Sequence, residues 1–152
     1  MKKLIIPLLT VLMVVSIIFA GCFGPSVPVQ PGDWFCTKLD GLEEVTSGVV
    51  LVAFRVNPTS TGITAVGCVF QDFTCGGINF EGTNTVESAH PWPITRGRFT
   101  IERVTIVDTT LGPLELTVQG KFDGTGTHAS GTLEFRLEGT ILTTGTWEAW
   151  PD

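Results

Sequence analysis

The side chains able to do chemistry in this chain are few, and several sit close together. The 152 residues include two histidines, His90 and His128, and no tyrosine. Asp123, His128 and Ser130 fall within eight residues and supply the group types of a hydrolytic triad. A triad needs a base held against the nucleophile and an acid behind that base. One short loop does not arrange this, and no G-x-S-x-G elbow surrounds Ser130, so the segment reads as a loop. Glu81, Glu87 and Glu102 offer carboxylates for glycoside hydrolysis, provided that a cleft brings two of them within about 5–10 Å. The run Asp123-Gly124-Thr125-Gly126-Thr127 has the first acid of a calcium loop but not the further oxygen ligands, which favours a plain turn. No metal site is expected, because cysteine and histidine spacings of the C-x-x-C kind are absent.

Cys22 stands apart from the other cysteines by what precedes it. Lys2 and Lys3 open the chain, and residues 4–20 form an almost unbroken apolar run containing Pro7. A basic start, an apolar run and small residues at its end are the parts of a secretory signal. Phe19-Ala20-Gly21-Cys22 resembles the bacterial lipobox, with Phe19 where leucine is commonest. That resemblance implies export, thioether attachment of diacylglycerol (palmitate-type chains) to Cys22, and cleavage just before it. Residues 1–21 are then a helical signal peptide; a spanning helix would want about 20 apolar residues, more than this run supplies. The expected location is the cell membrane, lipid-anchored, with the domain on the extracytoplasmic side. No cofactor other than the covalent diacylglycerol is expected. Residues 22–32 carry prolines at 25, 28 and 31 and read as an extended tether, about 3.1 Å per residue.

Three cysteines remain, and an exported chain favours one disulfide among them. Cys68 and Cys75 flank Phe70-Gln71-Asp72-Phe73-Thr74, so a staple across a hairpin turn is the simplest pairing. Cys36 is the alternative partner for either, and no bond at all is the third reading.

Residues 33–152 are the size of one domain. Without Lys2 and Lys3, seven of the nine basic side chains face fifteen acidic ones, a net of −8. No basic cluster is visible in sequence, which argues against nucleic acid and anionic lipid as partners. The domain reads as β throughout. Leu114, Leu116 and Val118 alternate with Glu115, Thr117 and Gln119; Leu133, Phe135 and Leu137 alternate with Glu134, Arg136 and Glu138. Each run puts every second side chain on one face. Pairing Val118 with Leu133 and Leu116 with Phe135 sets Glu115 opposite Arg136, whereas a slip of two residues opposes Glu115 to Glu138. The first register is expected. Residues 47–56 alternate two apolar faces and read as a central strand covered on both sides. Residues 33–38, 63–70, 76–82, 99–108 and 143–150 supply the other strands. About eight or nine strands with frequent turn signals predict an all-β antiparallel fold, either a jelly-roll-like β-sandwich or a closed barrel. First and last strands should pair, which hides edges.

Trp34, Phe54-Arg55-Val56, Cys75-Gly76-Gly77, Gly97-Arg98-Phe99, Gly120-Lys121-Phe122, Ala129-Ser130-Gly131-Thr132-Leu133 and Trp147-Glu148-Ala149 occur in this order. Together they resemble an uncharacterised all-β domain of secreted and lipid-anchored bacterial proteins, for which no catalytic residue is implied.

Aromatic side chains give the remaining hint of binding. His90-Pro91-Trp92-Pro93 reads as a rigid loop that could present Trp92, and Trp150 should face away from Trp147 on a regular strand. Exposed tryptophans stack on sugar rings or anchor proteins. The expected function is that of a lipid-anchored extracytoplasmic module with a non-enzymatic binding or envelope-structural role. Its partners would be the membrane, through the anchor, and an envelope protein or glycan, with no nucleic acid. The alternative is a small glycan-directed envelope hydrolase using loop carboxylates.

Overall fold

Strong β-formers at alternating positions build eight strands: β1 Gly32–Asp40, β2 Val45–Val56, β3 Gly62–Cys75, β4 Ile78–Pro93, β5 Arg98–Thr109, β6 Gly112–Phe122, β7 Ala129–Leu137 and β8 Thr140–Pro151. They come from a computed structural model that describes residues 27–152. The signal segment and Cys22 lie outside the described residues.

The strands form one antiparallel sheet in the order β4-β3-β2-β1-β8-β7-β6-β5. Consecutive strands pair except β4 and β5, which are the sheet edges, and β1 also pairs with β8, as expected for first and last strands. The sheet curls until β4 and β5 lie against each other, so the barrel is nearly closed. Of the two architectures left open by the sequence, this meander is the barrel. The β6–β7 register is the expected one: Val118 faces Leu133, Leu116 faces Phe135 and Glu115 faces Arg136. In the folded chain Glu115 takes its ion pair from Arg103 of β5 instead, at 2.7 Å.

Eight strands enclose a space that side chains alone can fill. Here aromatics fill it in two groups. Trp34, Phe54, Phe99, Phe122 and Trp147 occupy the end where the chain enters, with Trp34 and Phe122 edge to face at 5.0 Å. Phe70, Phe73, Phe80 and Phe135 occupy the other end. The two indole N–H groups are satisfied at 3.0 Å, Trp34 donating to the Gln30 carbonyl and Trp147 to that of Thr132. Room for Trp147 comes from Gly120 and Gly131: a Cβ at either would lie 2.6–2.8 Å from its ring.

Four sequence expectations need correction. First, Phe70 to Thr74 is no turn. The chain passes straight through it in β3, with a bulge at Gln71 and Asp72, where Asp72 has φ 48°. The bulge inserts one residue and resets the alternation, so Cys68 and Cys75 both point inward although seven positions apart. The true turn is Gly76-Gly77, with φ 56° and 76°, a two-residue hairpin that only glycine makes freely. Second, β2 is covered on one side only: Val49 and Leu51 are 52% and 51% exposed on the outer wall. Third, Trp92 belongs to β4, which runs through both flanking prolines, opposite Ile63. Fourth, the last residues of the stretch read as a tether are not free of the barrel. Residues 27–32 are extended but docked across the barrel end. Val29 is buried, Gln30 N–H donates to the Gly126 carbonyl at 3.1 Å, and the Ser60 hydroxyl donates to the Val29 carbonyl at 2.6 Å.

Candidate functional site: a hydroxyl-lined outer wall

With the interior filled, concavity is found on the outside. Register puts Gln119, Thr132 and Thr146 side by side across β6, β7 and β8, with Thr117, Glu134 and Thr144 in the next outward row. The outward threonines of β6, β7 and β8 are short. The wall therefore dips between Glu134 and the turn at Asp40 and Gly41, leaving a hollow of about 480 Å³. Two smaller hollows, about 330 and 260 Å³, continue it towards the chain-entry end; all three share Thr132. The result is an open trough of hydroxyls, an amide and a carboxylate. It offers many hydrogen bonds to a polar ligand and little exclusion of water. That suits binding better than bond cleavage, which gains most in a water-excluded site.

The residues singled out in sequence are dispersed around the barrel. Trp150 faces outward, opposite to Trp147, and is 41% exposed. It packs on the His128 ring at 4.8 Å and stands across from Phe35 of β1. Trp92 is half-buried against the core. Three strands separate β4 from β8 in the sheet, so the two tryptophans form no common platform.

His128 Nε2 lies 3.2 Å from Glu148 Oε2. Asp123 is used inside its own loop, accepting from the Thr125 hydroxyl at 2.8–2.9 Å and from the Thr125 and Thr127 N–H groups at 3.2 Å. The Thr125 hydroxyl chiefly holds the Asp123 carboxyl below its ordinary range, helped by backbone N–H groups of the loop. The Asp123 and His128 side chains thus engage partners outside the candidate triad. Glu81 accepts the Asp72 N–H of the β3 bulge at 2.7 Å. It sits six positions from Glu87 on β4, roughly 20 Å along a strand and beyond the reach of a carboxylate pair. Glu102 is on β5. Among the described residues no group of three or more His, Cys, Asp or Glu side chains is placed to hold a metal ion.

Cys36, Cys68 and Cys75 are free and buried. Cys68 and Cys75 are about 20 Å apart along one strand, so the expected staple is not formed. Cys36 and Cys68 share a row with Val52 between them. Two strand spacings, about 10 Å, exceed the Cα separation that a disulfide spans. Burial raises the Cys36 thiol from 9.0 to about 12. Burial also raises Cys68, with nearby Cys36 adding to it, and raises Cys75, with Glu44 adding to it. These are inert apolar fillers.

Comparison with protein-family models, with curated proteins and with solved structures finds no match. The trough itself escaped sequence reading, because threonine at alternate positions is what any solvated strand face shows. Only the register lines the rows up.

Proposed function

We propose that this chain is a lipid-anchored, extracytoplasmic barrel whose β6–β8 outer wall binds a polar envelope partner, glycan or protein, without converting it chemically. The trough carries this reading: an open, hydroxyl-lined hollow of about 480 Å³ lies on the outside of a filled barrel. The anchor is supported by the basic start, apolar run and cysteine of residues 1–22, and by the chain entering the domain at one end of the barrel.

Two experiments test it. Mild cross-linking of intact envelope followed by pull-down of the full chain should recover a partner, and Thr132→Phe, which fills the trough, should lose it with the melting temperature unchanged. Equal recovery with Thr132→Phe would remove the wall from the reading. For the anchor, Cys22→Ala should abolish metabolic incorporation of labelled fatty acid; labelling that persists sinks the lipidation.

A further inference from the structure

Folding assembles a basic cluster that the sequence does not display. Arg98 and Lys121 are direct cross-strand partners on β5 and β6, both outward and exposed. Arg96 lies two residues before Arg98, in the turn out of β4, exposed and with φ 53°. None of the three has an ion-pair or side-chain hydrogen-bond partner among the described residues. Like charges directly opposite on paired strands are unfavourable. In a chain with many more acids than bases, a neutralising carboxylate would be easy to place, yet Arg103, Arg55 and Arg136 have one and this pair does not. Arg98 and Lys121 border the 260 Å³ hollow, whose other lining includes Thr100, Gln119, Ser130 and Thr132. Two cations over a floor of hydroxyls and an amide are what an oxyanion needs: charge from above and neutral donors below.

We propose that Arg96, Arg98 and Lys121 with the hydroxyls of Ser130 and Thr132 form a phosphate-binding site, and that this site meets phosphate at the membrane surface. The second half rests on the anchor reading; the first does not. Val27 packs on the same turn, so closely that a Cβ on Gly97 would lie 2.9 Å from its Cγ2. Five peptide steps join Val27 to Cys22, at most about 18 Å of chain. A lipidated Cys22 therefore keeps Arg96 and Arg98 near the headgroups. The far end is the more acidic one, with Asp40, Glu43, Glu44, Asp72, Asp108 and Glu138. At the entry end both signs occur: Arg55, Arg96, Arg98 and Lys121 lie there with Asp33, Asp123, Glu148 and Asp152, and Arg55 is paired with Asp33. The acidic total had argued against anionic lipid; at this end the two signs balance, and the local cluster of Arg96, Arg98 and Lys121 is what an anionic surface would meet.

The test uses the full chain purified in detergent, with thermal unfolding followed in inorganic phosphate and in chloride at matched ionic strength. Phosphate should raise the melting temperature by several degrees, and the Arg98→Gln/Lys121→Gln pair should lose that rise, with affinity falling on the order of tenfold or more. The same variant in chloride should be no less stable than the wild type, since a repulsion has been removed; this shows that it folds. Reconstitution in phosphatidylcholine vesicles with and without phosphatidylglycerol separates the sources. A phosphatidylglycerol-dependent rise assigns the headgroup as ligand. A rise with free phosphate alone keeps the phosphate site and overturns its membrane assignment. No rise with either, or an equal rise in the double variant, overturns the site. Fatty-acid labelling of Cys22 is scored separately, so a failed anchor and a failed phosphate site are told apart.

Discussion

The two outer walls of the barrel meet solvent very differently. Across β1 to β3 the outward positions include Phe35, Val49, Leu51 and Val69, all large, apolar and substantially exposed. Across β6 to β8 the central outward positions are Thr117, Gln119, Thr132, Glu134, Thr144 and Thr146, with the exposed apolar Ile141 and Trp150 confined to the two ends of β8. Inside, the same two walls are alike, lined with buried apolar and aromatic side chains. The barrel needs its interior filled, and both walls obey. Nothing in that requirement dictates what lies outside. The contrast between the outer faces is therefore free to serve what the protein meets, whereas the sameness of the inner faces serves the fold.

That separation can be broken by substitution, from the interior outward. Trp147→Ala removes a buried ring flanked by Phe54 and Phe99 and should cost about 3–5 kcal/mol in chemical denaturation. A cost under about 1 kcal/mol would mean that the walls do not depend on a filled interior. Gly131→Ala should cost about 1–3 kcal/mol, because its Cβ would fall 1.8 Å from the Gln119 carbonyl oxygen and 2.8 Å from the Trp147 ring. Alkali probes the wall that carries Cys36. This thiol's value is raised on folding, so its contribution is intact below pH 9.0, where the unfolded thiol begins to ionise, and is lost as pH climbs towards 12. Unfolding free energy should drop by about 1.4 kcal/mol for this group between pH 8 and 10, and Cys36→Ala should flatten that share of the slope. Thr143→Val should stabilise by about 1 kcal/mol, since the Thr143 hydroxyl is buried without a partner among the described residues. Leu51→Thr, on the exposed apolar wall, should change stability by less than about 0.5 kcal/mol. A large loss there would show that the wall is covered in the folded protein.

Legibility in the sequence followed the regularity of the ladder. β6 and β7 alternate without interruption in their mutual pairing, and their register could be read to the residue. β3 could not, because the extra residue at Gln71 and Asp72 breaks the period of two and made one strand look like two. β4 failed for another reason. It stands at the seam of the barrel with a mostly exposed, polar sequence, and only Phe80 is fully buried, so its second half carries almost no apolar signal. The outward turn of Trp150 needed only its spacing from Trp147. The trough and the Arg98–Lys121 pair also needed the β7–β8 and β5–β6 registers, and both ladders are interrupted by irregularities that hide the register in the sequence.

The docking of residues 27–32 has a mechanical meaning. Val29 is seated in the barrel end and leads directly into β1, which is hydrogen-bonded along one edge to β2 and along the other to β8. A pull on the N-terminus thus runs along a strand gripped on both sides, and strains both ladders together in shear instead of unzipping them one bond at a time. For a domain tugged at its tether, the strand that takes the load is the one the fold holds from both edges.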